Sequence, residues 1–355
     1  MSAPSTIVIG AGIIGSLVAR ELASRTPSGL VTVIDRDTVG GGVSRRSAGV
    51  HLLRGGTERV RAMSQYSAEF YRNLVRDQPS LPMYQLPETS VVTLHRQSAA
   101  ALTAYLPQAG LTRLVMLPNE AIRLPEDVSL WRIEGCHQAD VYALTQALAR
   151  ELRNRVSFRE GVRVVGLQSS TAGVLVRLGT GEQLHADQVV LAPGPWLHDP
   201  AWRDLVAPLG IRVKKIVGLH VEQMPTARDR AIIFHDEDAF LIPLVHRGHW
   251  LFSYTCQEWG VDPDNLLEGL SADNIAQARD CLRRYSAGLA EGCTSGRVSC
   301  DAYSISGEPQ VERLDEAGRI VFAGAANGAG YRLAPAIAAE AAELLQMSAE
   351  VRSAG

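Results

Sequence analysis

Three features of the sequence predict an α/β fold on a nucleotide-binding sheet, with a mixed, largely antiparallel sheet inserted into it. The chain opens with Thr6-Ile-Val-Ile-Gly10-Ala-Gly12-Ile-Ile-Gly15: an apolar strand, a glycine turn, and a helical pattern that continues through Leu22. It closes with a similar unit, a strand over Arg319–Phe322, a glycine-rich turn and a helical pattern over Ala336–Gln346. Between about residues 208 and 296 the pattern changes to short strands broken by turns. Strand–turn–helix units at both ends imply a discontinuous nucleotide-binding domain, 1–83, 141–207 and 297–355, and a substrate domain, 84–140 and 208–296. A length of 355 residues suffices for two cores of ordinary size.

In the opening motif each glycine has its own job. Gly10 makes the turn, Gly12 lets the backbone approach a pyrophosphate, and Gly15 brings the helix close to the strand. Phosphates would rest on the N–H groups at the helix start, around Ile13 and Ile14. A second strand, Leu30-Val-Thr-Val-Ile, leads to Asp35, twenty residues after Gly15, where a ribose-binding carboxylate belongs. Strand, helix and acid together predict a bound dinucleotide. They leave open whether it is NAD or FAD.

A hydrophobic content of 46%, a charged content of 21% and a net charge of −3 describe an ordinary globular protein and argue against a nucleic-acid or anionic-membrane partner. The apolar runs are strand-sized, so no membrane span is expected. The N-terminus carries no basic region before its apolar stretch, and Ile7 onward reads as a strand, not a signal peptide. Cys136, Cys256, Cys281, Cys293 and Cys300 are scattered without ligand spacing. The expectation is reduced thiols, a cytoplasmic protein and no metal site.

After Asp35 and Arg36, a polar glycine-rich loop runs through Ser44-Arg45-Arg46-Ser47-Ala48-Gly49 to His51, suited to wrapping an extended ligand. A helix follows over Glu58–Asp77, ended by Pro79 and Pro82. Further helices are expected over Ser98–Ala109, Pro118–Leu124, Val141–Arg155 and Asp273–Leu289. Strands are expected over Leu86–Leu94, Val156–Arg159, Gly161–Gln168, Gly173–Leu178, Glu182–Ala186, Gln188–Ala192, Val213–Val221, Ala231–His235, Phe240–Pro243 and Trp250–Thr255.

Four segments in this order resemble the family of D-amino acid oxidase, glycine oxidase and sarcosine oxidase. They are Ile9-Gly10-Ala-Gly12-Ile-Ile-Gly15; Ser44-Arg-Arg46-Ser-Ala-Gly49; Val190-Leu-Ala192-Pro193-Gly194-Pro-Trp196; and Phe322-Ala-Gly324-Ala-Ala-Asn327-Gly328-Ala329-Gly330-Tyr331-Arg332-Leu333-Ala-Pro335. Gly260-Val-Asp262-Pro263-Asp264 is also similar to sarcosine-oxidase-like members. The resemblance implies FAD, a nucleotide domain of the glutathione-reductase type, and hydride transfer from a C–N bond of a small amine or amino acid to flavin N5, giving an imine. Of these, Gly10, Gly12, Ile13, Ile14, Gly15, Ser44, Arg46, Gly49, Ala192, Pro193, Gly194, Trp196, Gly324, Asn327, Gly328, Ala329, Gly330, Tyr331, Arg332 and Leu333, with Asp35, Arg36, Arg45, Ser47, Ala48 and Val164, would hold the cofactor. O2 or another acceptor would take the electrons. His51, able to titrate near neutral pH, with Phe240, Tyr254, Asp301 and Arg332, would face the substrate.

Three positions depart from the family. Amino-acid members hold the substrate carboxylate with an arginine in a pattern like R-P-x-T-x-D-G-x-P; aligning on Gly307-Glu-Pro309 puts Asp301 there. The carboxylate is then held elsewhere, with Arg332 the nearest candidate, or a cationic amine meets Asp301. Cys300 lies near the position of a flavin-linking cysteine but reads as an ordinary buried thiol; non-covalent FAD is expected, with a covalent link through Cys300 or His51 as the lesser alternative. An oxygen-activating lysine corresponds to Leu251, which leaves oxidase and dehydrogenase both open. The rival readings are an FAD/NADPH monooxygenase, an NAD-dependent dehydrogenase and an FAD-binding subunit of a multi-component amine dehydrogenase.

Overall fold

The computed structural model describes residues 4–86, 88–117, 119–266 and 269–354. Its organising layer is a six-stranded sheet in the order Gln310–Arg313, Ile320–Gly324, Gln188–Leu191, Thr6–Ile9, Val31–Ile34, Val156–Arg159. Five strands are parallel, and Gln310–Arg313 runs antiparallel at one edge. Thr6–Ile9, Gln188–Leu191 and Ile320–Gly324 are buried at every position, because both faces of the sheet are covered. Val8, Val33 and Val190 point to one face, where they pack against Leu17, Leu144 and Ile337 of three flanking helices. Ile7, Ile9 and Ile34 point to the other, against Val174 and Val176 of the three-stranded antiparallel sheet Val164–Ser169, Val174–Leu178, Gln183–Ala186.

The second large sheet has eight strands, ordered Cys293–Tyr303, Arg212–Val221, His249–Tyr254, Ala239–Leu244, Ala231–Phe234, Thr89–Leu94, Val128–Ile133, Thr112–Leu114. Neighbours are antiparallel except Ala231–Phe234 and Thr89–Leu94. One face buries Val217, Leu219 and Phe252 beneath Leu282 and Leu289 of the helices Ala272–Arg283 and Ala287–Glu291. The other carries Lys214, Ile216, Phe240, Ser253 and Asp301 into the central cavity. Parallel and antiparallel sheets together make the mixed α/β architecture the sequence predicts.

Several elements differ from expectation, each for a physical reason. The last helix begins at Gly330 and contains Pro335, whereas the sequence suggested a start after that proline. Pro335 offers no N–H to the carbonyl four residues back, Tyr331; the Tyr71 hydroxyl donates to it instead, at 2.7 Å. The helix expected over Asp273–Leu289 is two helices, because Ser286 caps the second by accepting from Leu289 N at 3.2 Å. Ser98–Ala109 contains only the short helix Ser98–Leu102 and a 3-10 turn, Pro107–Ala109. Residues 119–124 form turns, and Pro118 lies outside the described residues. The eleven-residue strand Cys293–Tyr303, continuous through position 297, was not anticipated. Its small and polar residues show no clean alternation, and its pairing with Arg212–Val221 supplies what local pattern lacks.

Candidate active site

A cavity of about 660 Å³ runs between the two large sheets, a size usual for ligand and cofactor sites. Its nucleotide end is built on close backbone approach. Gly10 has φ +102°, and a Cβ there would sit 2.2 Å from the Ala192 carbonyl oxygen; one at Gly15 would sit 1.9 Å from that of Gly10. No side chain fits at either position. The helix start at Gly12 has no side-chain cap of its own, and Ser44 Oγ accepts from Ile13 N at 2.9 Å. Asp35 accepts from Ala11 N at 2.6 Å and from Asp37 N at 2.8 Å, while burial raises its carboxyl above the ordinary carboxylate range. Arg36 lies 4.4 Å over the Trp196 ring and donates to Asp264 at 3.1 Å; Trp196 Nε1 donates to the same carboxylate at 2.7 Å. Trp196 thereby forms part of the cavity wall. This glycine cradle, with a helix N-terminus and an acid at the second strand, fits a dinucleotide such as FAD.

The expected cofactor-side positions reach the cavity wall except Arg45, Gly324 and Leu333. Arg45 faces a smaller cavity behind the Ser44–Ser47 turn, and Leu333 is buried in the helical core. On the substrate side, Phe240, Tyr254, Asp301 and Arg332 line the cavity and His51 does not. His51 is fully buried, stacked on His137 at 4.6 Å with Tyr71 edge-on at 5.7 Å. Burial, then His137, hold its imidazole well below its ordinary range, so it stays neutral instead of titrating near neutral pH. Burial pushes the Cys300 thiol up to about 12. Leu251 is buried among Ala231, Ile242 and Leu244.

Two residues carry signals that sequence reasoning missed. Arg54, three positions beyond His51, belongs to no motif, yet it lines the same cavity as Arg332. Burial, then Arg54, bring the Arg332 guanidinium down to about 10. Its Nε has no hydrogen-bond partner, and among the described residues neither arginine forms an ion pair. Lys214 is the second. The chain has only two lysines, Lys214 and Lys215, and the first points into the cavity. Its Nζ lies 5.1 Å from the Trp259 ring centroid and 5.2 Å from that of Tyr303. Directly across the strands stands Asp301, whose carboxylate accepts from Ala302 N at 2.9 Å and from Gly328 N–H. Burial pushes this carboxyl up to about 6, against the effect of both N–H donors. Asp238, held at φ +46°, completes the polar wall.

The fold is shared with solved structures at low identity. Glycine oxidase from Geobacillus kaustophilus superposes with a TM-score of 0.78, 18% identity, and coverage of 98% of this chain and 95% of that one. L-α-glycerophosphate oxidase from Mycoplasma pneumoniae, with FAD bound, gives 0.77, 17%, 98% and 95%. By sequence, 4-methylaminobutanoate oxidase (formaldehyde-forming) of Paenarthrobacter nicotinovorans is 25% identical over 246 residues, 64% of this chain and only 28% of that longer protein. The family model for FAD dependent oxidoreductases, DAO, matches residues 5–344, from the first strand of the glycine cradle into the last helix. With that span and a cradle that fits the nucleotide, the chain belongs to the DAO family of FAD-dependent oxidoreductases.

Proposed function

We propose that the protein oxidises the C–N bond of a small amino acid whose carboxylate is held by Arg54 and Arg332. The observation that carries this reading is the pair of unpaired guanidinium groups in one cavity wall, Arg332 with a buried Nε lacking any partner. A buried guanidinium with a second one beside it is costly until an anion joins them, and a carboxylate matches the planar fork of arginine. FAD, when bound, supplies the hydride acceptor. The residues of the chain orient the substrate carbon, and Phe240 and Tyr254 on the inserted sheet exclude water from it. The cations Arg54, Arg332 and Lys214 disfavour a further positive charge nearby, so the neutral amine, the form that reacts, is favoured without a strong side-chain base. Asp301 serves the amine side of the pocket.

The division into a nucleotide domain and a substrate domain is supported by the six-stranded sheet, which draws on segments from both ends of the chain. Electrons pass to O2 or another acceptor, and the flavin is held without a covalent bond. No helix among the described residues is long and apolar enough to cross a membrane. The five cysteines are free thiols, which favours a reducing cytoplasm.

The test is anaerobic bleaching of the bound flavin with D-, L- and N-methyl amino acids and with the same amines lacking a carboxylate. Reduction is expected from carboxylate-bearing members, with half-saturation raised about 10–100-fold in Arg54→Leu. Bleaching by no amine at all would sink the reading; equal bleaching by carboxylate-free amines would remove the role of the arginine pair.

A further inference from the structure

Behind the Ser44–Ser47 turn lies a second cavity of about 110 Å³, lined among the described residues by three guanidinium groups, Arg45, Arg247 and Arg297, and one carboxylate, Asp140. They converge from separate elements: the 3-10 turns Val43–Arg46 and Val245–Arg247, the strand Cys293–Tyr303, and the N-cap of the twelve-residue helix Val141–Leu152. Asp140 is already occupied, capping its helix through Ala143 N at 3.1 Å and pairing with Arg247 at 2.6 Å. Arg297 donates only to the Ser47 carbonyl, at 3.2 Å, and neither it nor Arg45 forms an ion pair among the described residues.

Among the described residues, Asp140 is the only acidic group that acts on Arg297. His220 and His249 lie beside the arginines with their rings tilted by 34° and centroids 4.5 Å apart, and the Nε2 atoms of both are buried without partners. Burial first, then His249, Arg297 and Arg247, bring His220 down to about 4, so it is neutral at physiological pH. Burial draws Arg297 below its ordinary range, with Arg247 adding to the effect and Asp140 opposing it. A guanidinium such as that of Arg297, drawn partly out of water without a counter-charge, is costly.

We infer that this cavity binds a phosphate-type oxyanion, separately from the substrate and nucleotide cavity. Three guanidiniums against one carboxylate leave an excess of two positive charges, which suits the roughly −1.5 to −2 of a phosphate group better than the single charge of a carboxylate. Arginine forks offer paired donors to such an ion, and the first residues of the helix beginning at Val141, its positive dipole end, line the same space. Ser44 and Ser47 line both cavities, so an anion here would brace, through Arg297, the turn on which the cofactor end rests.

The test is thermal unfolding of the FAD-loaded protein at constant ionic strength, titrated with inorganic phosphate, phenyl phosphate or chloride. A saturating rise of about 2–4 °C is expected with phosphate and not with chloride. Arg297→Met should abolish it, Arg45→Gln on the exposed turn should weaken it, and Arg54→Leu in the other cavity should leave it intact. A larger rise with phenyl phosphate identifies a phosphate monoester as the occupant; a larger rise with inorganic phosphate identifies the free ion. No saturating rise with either, or the same rise in Arg297→Met, overturns the inference.

Discussion

Asp301 and Arg332 face one cavity with opposite charges, and burial pushes both toward their neutral forms. For Asp301 the consequence for stability has a definite sign. The folded carboxyl keeps its proton to about pH 6, whereas its ordinary value is 3.8, so between these values the folded state binds the extra proton. Its contribution therefore falls as pH rises through that window and is gone above it. Asp301→Asn should melt higher than wild type at pH 8, by at most about 3 kcal/mol and less because the group faces a cavity, and equally near pH 4. Equal melting at both pH values would show that the carboxyl is not destabilised by burial. Lys214→Met should slow reoxidation of the reduced flavin by O2 more than by a dye acceptor, measured by stopped-flow absorbance, if the cavity lysine serves the oxygen step. At this scale Arg332 was legible from the C-terminal motif, Asp301 from the alignment on Gly307-Glu-Pro309, and Phe240 and Tyr254 as aromatics on expected strands. Arg54 and Lys214 were not, since a cation outside any motif reads the same in sequence whether it meets solvent or a cavity.

Among the elements, the last helix shows how a side chain from elsewhere overrides a local signal. A proline reads as a helix start because its missing N–H costs nothing there. Here Pro335 lies within the helix, and the Tyr71 hydroxyl, carried by the helix Glu58–Asp77, takes over the orphaned Tyr331 carbonyl. Tyr71→Phe should cost about 1–3 kcal/mol in urea unfolding. Adding Pro335→Ala, which restores the N–H, should recover most of that loss, and a double-mutant cycle without coupling would refute the substitution of one donor for the other. No sequence window contains both Tyr71 and Pro335, so local periodicity could not place the helix start. The helices Glu58–Asp77 and Val141–Leu152 lay close to expectation because their apolar spacing and their caps, Thr57 and Asp140, are local.

For the whole molecule, the parallel sheet was legible and the order of the inserted sheet was not. Strand-turn-helix units announce parallel strands, but Thr89–Leu94 pairs with Ala231–Phe234 across more than a hundred intervening residues. The same long-range closure shapes the nucleotide end, where Asp264 receives Arg36 and Trp196. Asp264→Ala should leave the fold intact and weaken FAD retention roughly 5–10-fold, followed by flavin fluorescence on dilution. Unchanged retention would mean the clamp is solvated and idle.

Thr6–Ile9 is the earliest-made strand of the six-stranded sheet, yet it lies inside that sheet, between Val31–Ile34 and Gln188–Leu191. During synthesis one of its edges must wait about 180 residues for its neighbour, on the order of ten to forty seconds at ordinary translation rates. Ile320–Gly324 arrives later still. A nascent chain therefore carries an apolar, unpaired strand edge until these later strands are made, and the cofactor pocket is completed only once Ile320–Gly324 has joined the sheet.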